Sequence, residues 1–216
     1  EAASDPDGAT PADPAATPAT IAPQTSLMPT GRQAPHPVMS WCPDVLTAAQ
    51  CATLSALLDG RPATAANLAG GIHQPSVRHC LSVWLDDDAT TGWAFKRLAA
   101  MLAKVNRADF DFALDGFEGL QLLRYPAGTG HYDWHIDRAG NGAAAKRKLS
   151  FSIQLSPPDQ YQGGQLELNG DGHIRAAPRA QGGAVVFPSF VLHRISPIAA
   201  GQRDALVGWM DGPAFR

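Results

Sequence analysis

The chain has 216 residues, of which 44% are apolar, so it has room for one domain with a sizeable core and a tail. Its formal net charge of −3 argues against nucleic acid or an anionic membrane as an electrostatic partner. Its three cysteines lack a Cys-x-x-Cys spacing, which argues against a disulfide framework or a structural zinc site and favours a reducing, cytoplasmic location.

Residues 1–37 are mostly Ala, Pro, Thr and Asp, with only three large apolar side chains: Ile21, Leu27 and Met28. So few apolar groups do not offset the entropy of ordering, which predicts a disordered tail. We expect the ordered domain to span residues 38–216. Within it, residues 38–116 are predicted to give helical support and residues 117–216 to form the functional core.

Two amphipathic helices are predicted in the first half of the domain. The first runs from Thr47, a capping residue, to Leu58 and ends at Gly60, and the second runs from about Thr91 to Asn106. A strand-like stretch from Val77 to Leu85 lies between them. The two helices therefore precede the candidate functional residues in the chain.

Beyond residue 117 the apolar pattern changes from a helical period to short, alternating segments. Glycine-rich turns separate five candidate strands: Gly119–Tyr125, Leu149–Leu155, Gln165–Leu168, Ala184–Phe187 and Ala205–Trp209. Many short strands of this kind predict a sandwich or barrel. The predicted fold class is therefore mainly β with flanking helices, of the α+β kind.

Three residues in this second half are candidate metal ligands: His135, Asp137 and His193. In a strand, side chains two residues apart share a face, so His135 and Asp137 would point inward while Ile136 packs on the opposite surface. A histidine from a distant strand would complete the set. Two imidazoles and one carboxylate on one side of a metal, with open positions opposite, are typical of non-haem Fe(II) oxygenases.

Arg203 lies ten residues beyond His193 and begins an alternating run with Ala205, Val207 and Trp209. A strand here would direct its guanidinium into the same cavity as the candidate ligands. The planar fork of donors suits a carboxylate better than a point charge does. The sequence therefore predicts an anion-binding group beside the metal site.

The second half of the chain resembles the Fe(II)- and 2-oxoglutarate-dependent dioxygenases of the prolyl 4-hydroxylase-like superfamily, most closely their bacterial PKHD-type hydroxylase branch. Three stretches, covering roughly residues 105–216, carry the resemblance. They are Leu120–Tyr125 continuing to His131–Asp137; Arg147–Ser150 continuing through Gln154–Ser156 to Tyr161–Leu166; and Phe187–Arg194 continuing to Gly201–Arg203 and Trp209.

The resemblance implies a double-stranded β-helix core, of the jelly-roll or cupin-like type, with helices outside it. It implies iron on His135, Asp137 and His193, and Arg203 paired with the distal carboxylate of 2-oxoglutarate, where many relatives carry a lysine. Tyr125 matches a tyrosine that many relatives turn toward the cosubstrate. The implied cofactors are Fe(II), 2-oxoglutarate and O₂, with ascorbate as a candidate reductant.

The favoured function is hydroxylation of an unactivated C–H bond in a small molecule, an amino acid or a peptide side chain, with release of succinate and CO₂. Two alternatives remain at this point. One is a non-catalytic β-helix that binds or senses a ligand. The other is a zinc hydrolase, because two histidines and a carboxylate also suit Zn²⁺. The sequence contains no recognition motif that names the substrate, and it leaves the oligomeric state open.

Overall fold

The computed structural model describes residues 36–66 and 72–215. The tail predicted over residues 1–37 therefore lies almost wholly outside the described residues. The described elements, in chain order, are β1 (Ser40–Cys42), α1 (Ala48–Gly60), β2 (Thr64–Ala65), β3 (Arg78–His79), β4 (Leu81–Leu85), α2 (Gly92–Val105), a π-helical turn (Asn106–Phe110), β5 (Gly116–Tyr125), β6 (His131–His135), a 3₁₀ turn (Ala143–Lys146), β7 (Arg147–Gln154), β8 (Tyr161–Gly163), β9 (Leu166–Asn169), β10 (Arg175–Ala176), β11 (Ala184–Pro188), β12 (Leu192–Ile195), β13 (Ile198–Gly201) and β14 (Arg203–Asp211).

The strands within the described residues form two main antiparallel sheets and a small ribbon. The larger sheet has seven strands in the order β1-β11-β7-β14-β5-β4-β2, and the smaller has five in the order β10-β9-β12-β6-β3. Strands β13 and β8 pair as a ribbon. The predicted mainly β fold is confirmed. In addition to the two predicted helices, residues 38–116 contribute strands to both sheets. Strands β1, β2 and β4 belong to the larger sheet, and β3 belongs to the smaller one.

The two predicted helices are confirmed as α1 and α2. Thr47 caps α1: its hydroxyl accepts a hydrogen bond from the Gln50 amide, and the Gln50 side chain accepts one from the Thr47 amide. Helix α1 buries Cys51, Leu54 and Leu58. The chain leaves α2 through the π-helical turn and reaches β5 soon afterwards.

Two apolar clusters hold these layers together. The first packs both helices on the outer face of the seven-stranded sheet, through residues such as Leu54, Leu98 and Leu122. The second lies between the two main sheets and includes Leu123 and Leu168. Alternate residues of β5 therefore enter different clusters, as a strand buried on both faces requires.

Register across the seven-stranded sheet places a row of side chains on its inner face. Trp84 of β4, Gln121 of β5, Val207 of β14 and Ser152 of β7 are successive partners in this row. Arg203 of β14 pairs with Tyr125 of β5, four residues farther along β5 than Gln121. Among the described residues, no helix is long and apolar enough to cross a membrane.

Candidate active site

The structure brings His135, Asp137 and His193 together at the mouth of the space between the sheets. His135 is the last residue of β6, and it pairs in register with His193 of the neighbouring strand β12. One donor atom from each of the three residues lies within 4.8 Å of the others. The Asp137 carboxylate lies 3.6 Å from His135 Nε2 and 3.5 Å from His193 Nε2.

The predicted strand geometry of His135 and Asp137 is wrong in one respect. Strand β6 ends at His135, so Asp137 lies in the bend that follows and Ile136 is 49% exposed instead of packed on an opposite surface. The backbone amides of Asp137 and Arg138 both donate to the Ser189 carbonyl at 3.0 Å. This long-range contact turns the chain, and it directs Asp137 toward the histidines without strand periodicity.

Hydrogen bonds to the backbone fix the orientation of both imidazoles. Nδ1 of His135 lies 2.7 Å from the Asp133 carbonyl, and Nδ1 of His193 lies 2.9 Å from the Val191 carbonyl. A carbonyl only accepts, so a neutral ring must carry its proton on Nδ1 and a lone pair on Nε2. Two nitrogen lone pairs and a carboxylate then converge. This donor set fits a bound cation and disfavours a purely structural contact.

The charge states at this cluster also suit a divalent metal. Burial lowers the pKa of His193 to about 4, so its ring is neutral near pH 7. Burial alone would raise the pKa of the Asp137 carboxyl, but the His193 and His135 rings and the Ser150 hydroxyl hold that pKa well below its usual range. The site therefore offers a carboxylate from Asp137 and a neutral imidazole from His193, both in the form that metal coordination requires.

Arg203 and Tyr125 lie together at the inner end of the same cavity. Arg203 is 3% exposed, and its guanidinium carbon lies 5.4 Å from the centre of the Tyr125 ring. Among the described residues, Arg203 Nε is buried without a hydrogen-bond partner, and no carboxylate forms an ion pair with this side chain. A buried guanidinium without a counter-charge is costly, so the inner end fits an anionic ligand.

Tyr125 is fully buried, and it lies on the cavity wall. Burial raises the pKa of its hydroxyl strongly, so the phenol stays protonated. The hydroxyl lies against the thiol of Cys80, whose pKa burial also raises. Tyr125 is therefore a neutral polar side chain beside Arg203.

The cavity measures about 310 Å³, which suits a small molecule, and it is lined by residues of both sheets. Its wall contains side chains that sequence reasoning missed, among them Tyr132 and Arg78. The Tyr132 ring stacks on the His135 ring with centroids 3.4 Å apart, and the Arg78 guanidinium lies 4.6 Å from the centre of the Tyr132 ring. Simple alternation would place Tyr132, three residues before His135, on the opposite face of β6. The register of β6 shifts between the two residues, so the sequence pattern could not have indicated Tyr132. Arg78 gave no signal because β3 has two residues.

Comparison with known proteins supports the resemblance predicted from the motifs. A sequence model of the 2OG-Fe(II) oxygenase superfamily matches residues 120–211. A PKHD-type hydroxylase of Hyphomonas neptunium is 40% identical over 82 residues, which is 37% of each chain. Another from Synechococcus elongatus is 39% identical over 94 residues, which is 42% of each chain. The matches span about two fifths of the length of these curated relatives.

Solved structures confirm the fold. A prolyl-4-hydroxylase of Pseudomonas putida superposes with a TM-score of 0.69 at 24% identity, covering 82% of this chain and 94% of that one. A prolyl hydroxylase of Trichoplax adhaerens, solved with a hypoxia inducible factor oxygen degradation domain peptide fragment, gives a TM-score of 0.69 at 18% identity, covering 81% and 83%. The predicted double-stranded β-helix is thereby confirmed.

Proposed function

We propose that this chain is an Fe(II)- and 2-oxoglutarate-dependent dioxygenase that hydroxylates an unactivated C–H bond; the match of residues 120–211 to a sequence model of the 2OG-Fe(II) oxygenase superfamily supports this proposal. The proposed substrate is a small molecule, an amino acid or a peptide side chain, and the proposed coproducts are succinate and CO₂. The observation that carries the proposal is the convergence of three lone-pair donors beside a buried guanidinium that has no protein counter-charge among the described residues.

Each residue of the site has a distinct proposed role. His135 and His193 hold the metal through Nε2, because their Nδ1 atoms are engaged with carbonyls. Asp137 supplies the charged ligand. Arg203 pairs with the distal carboxylate of 2-oxoglutarate, and Tyr125 donates a hydrogen bond to the same cosubstrate. The buried walls around them exclude bulk water, which strengthens these polar interactions.

When bound, Fe(II) would supply the redox chemistry that lets triplet O₂ react with a closed-shell substrate, with 2-oxoglutarate as the source of two further electrons. The protein side chains would bind the metal and 2-oxoglutarate and orient them toward the substrate. Ascorbate as a reductant belongs to the same proposal: it would keep the iron ferrous when turnover is uncoupled from substrate hydroxylation. A cytoplasmic location is also proposed, supported by the free thiols of Cys42, Cys51 and Cys80.

The decisive experiment measures succinate formed from 2-oxoglutarate. Protein loaded anaerobically with Fe(II) is exposed to air without added substrate, and Asp137→Ala is run beside it. We expect iron-dependent succinate that falls at least 10- to 100-fold in the variant, because removal of a charged ligand weakens metal binding. Added ascorbate should raise the number of turnovers per iron.

Three other results are possible, and the last two would favour the alternative functions. Tight 2-oxoglutarate binding without turnover would mean that catalysis awaits the substrate. Absence of both binding and turnover would contradict the proposal and favour the non-catalytic β-helix. Zinc-dependent hydrolysis that is indifferent to 2-oxoglutarate would favour the hydrolase.

A further inference from the structure

The outer part of the cavity contains a buried amide that none of the proposed steps uses. Gln121 of β5 is 6% exposed and lines the cavity together with the three candidate metal ligands. On the inner face of the seven-stranded sheet, Gln121 lies between its register partners Trp84 of β4 and Val207 of β14. A buried side-chain amide needs partners for both of its polar atoms.

Arg78 fixes the direction in which this amide points. Its Nη2 atom donates to Gln121 Oε1 at 3.4 Å. A guanidinium has donors and no acceptor, so the atom that faces it must be the amide oxygen and not the amide nitrogen. The guanidinium is itself held in place by the Tyr132 ring and by a hydrogen bond from its Nε to Cys80 Sγ at 3.3 Å. Gln121 Nε2 is consequently turned away from Arg78.

Gln121 Nε2 has no hydrogen-bond partner among residues 36–66 and 72–215. A second buried glutamine on the same sheet shows the usual situation. Gln154 of β7 is also 6% exposed, but its Nε2 donates to the Ser156 carbonyl at 3.3 Å. The two glutamines thus differ in the hydrogen-bond partners of their amide nitrogens. That of Gln154 is satisfied within the protein, whereas that of Gln121 is left for a ligand in the cavity.

The neighbours of Gln121 indicate where on the substrate the acceptor lies. Trp84, its partner on β4, is 49% exposed, and its ring lies 5.8 Å from that of Trp209 across the cavity wall. On the other side of Gln121, the row continues through Val207 to Ser152 of β7, two residues beyond Ser150, whose hydroxyl contacts Asp137. Strands β5 and β7 are two spacings apart, about 10 Å. The amide of Gln121 therefore has an apolar wall, formed by Trp84, on one side and the candidate metal ligands on the other.

We propose that Gln121 is a specificity-determining residue that donates a hydrogen bond from Nε2 to an acceptor oxygen of the substrate, while Trp84 packs against the apolar group beside that oxygen. The substrate class is then an amino-acid-sized unit with a carbonyl or carboxylate next to the hydroxylated carbon. The inference rests on the proposed function, because it places the substrate beside a metal bound at His135, Asp137 and His193.

Mn(II) and 2-oxoglutarate provide a test without turnover, since Mn(II) accepts the same kinds of ligand and its paramagnetism enhances the relaxation of nearby protons. The probes are N-acetyl amino acid methylamides, which carry a neutral carbonyl, and the matching free amino acids, which carry a carboxylate. We expect Mn(II)-enhanced relaxation for members of at least one series. In Gln121→Leu, their dissociation constants should rise about tenfold, because the acceptor is left unpaired in the cavity.

Gln154→Leu is the matched control. It removes an equally buried amide from the same sheet and should leave probe binding unchanged. Gln121→Glu keeps the size but loses the donors, and it should weaken free amino acids more than methylamides by charge repulsion. This difference shows whether the acceptor oxygen belongs to a carboxylate or to a neutral carbonyl. The dissociation constant of 2-oxoglutarate should stay within about twofold in all three variants.

Equal probe binding by the wild type and Gln121→Leu would overturn the inference. So would a wild type that binds Mn(II) and 2-oxoglutarate but no probe of either series. Failure of the wild type to bind 2-oxoglutarate is a separate outcome: it would overturn the proposed function and, with it, this inference.

Discussion

At the scale of single residues, the charge of the site is controlled by burial. His193 is buried between β9 and β6, with its Nε2 atom toward Asp137 and the Phe187 ring 4.7 Å away. Its low pKa keeps the ring neutral and ready for a metal. The same low pKa makes the metal-free protein sensitive to acid, because a neutral buried imidazole cannot take up a proton that the unfolded chain accepts.

We expect metal-free protein to lose stability between about pH 6.5 and pH 4 through this histidine. The folded pKa of about 4 lies below the ordinary value of 6.5, so as the pH falls the unfolded chain binds the proton first. The contribution at pH 5 is about 2 kcal/mol. Urea unfolding with chelator present, at pH 7 and pH 5, measures it. Between pH 7 and pH 5, the His193→Gln variant should lose about 2 kcal/mol less stability than the wild type. Equal losses in the two proteins would contradict the prediction.

Residue chemistry also explains what could be predicted from the sequence. Four site residues could be predicted together from the sequence, because few residue types bind metals or carboxylates: His135, Asp137, His193 and Arg203. Their roles stay predictions. The side chains that surround them could not be nominated. Arg78 lies on a strand of two residues, and its position relative to Gln121 depends on the pairing of β3 with β6 and on the packing of the smaller sheet against the larger one.

At the scale of elements, a glycine turn shapes the end of the cavity that contains Arg203. Gly164 follows β8 with a φ of 61°, and its backbone passes close to the side chain of Arg203. A Cβ at this position would overlap Ile198 Cδ1 and come within 3.0 Å of Arg203 Cδ. The turn thus keeps open the space that the arginine occupies between β14 and the ribbon.

Gly164→Ala should therefore weaken 2-oxoglutarate binding, as measured by titration in the presence of Mn(II). We expect a loss of at least several-fold, because the new methyl group displaces Arg203 from its position. Gly172→Ala is the matched control: its φ is 88° but no atom lies within 4 Å of the added Cβ. Both variants should lose about 1 to 2 kcal/mol of stability from backbone strain. Equal cosubstrate affinity in the two would refute the steric explanation.

Periodicity predicted most elements and failed where a distant partner decides the backbone. The five predicted strands beyond residue 117 all occur, as β5, β7, β9, β11 and β14. The strand assumed to carry both His135 and Asp137 stops at His135, because the next amides bond to the Ser189 carbonyl more than fifty residues away in the chain. No local pattern records that contact.

At the scale of the whole molecule, the candidate site joins the two sheets. His135, Asp137 and His193 belong to the smaller sheet and its connections, whereas Arg203 and Tyr125 belong to the larger one. A metal and a cosubstrate bound to these residues would span the space between the sheets. Ligands that bind only the folded state stabilise it by mass action.

Mn(II) and 2-oxoglutarate together should raise the melting temperature by about 10 to 20 °C when each is present at about 100 times its dissociation constant. This estimate combines about 2.7 kcal/mol for each of the two ligands with about 2 to 4 °C per kcal/mol for a chain of this size. Differential scanning fluorimetry is the measurement. Asp137→Ala should abolish the shift. A shift with Mn(II) that 2-oxoglutarate does not increase would count against the cosubstrate role of Arg203.

The buried thiol of Cys80 has a consequence for durability. It lies against the Tyr125 hydroxyl and the Arg78 guanidinium, two groups that line the cavity. Thiolates are oxidised far more readily than thiols, and burial raises the pKa of this one, so at neutral pH it stays protonated. The protein therefore keeps this sulfur atom behind the cavity wall as a thiol, the form that is less readily oxidised to sulfenic acid.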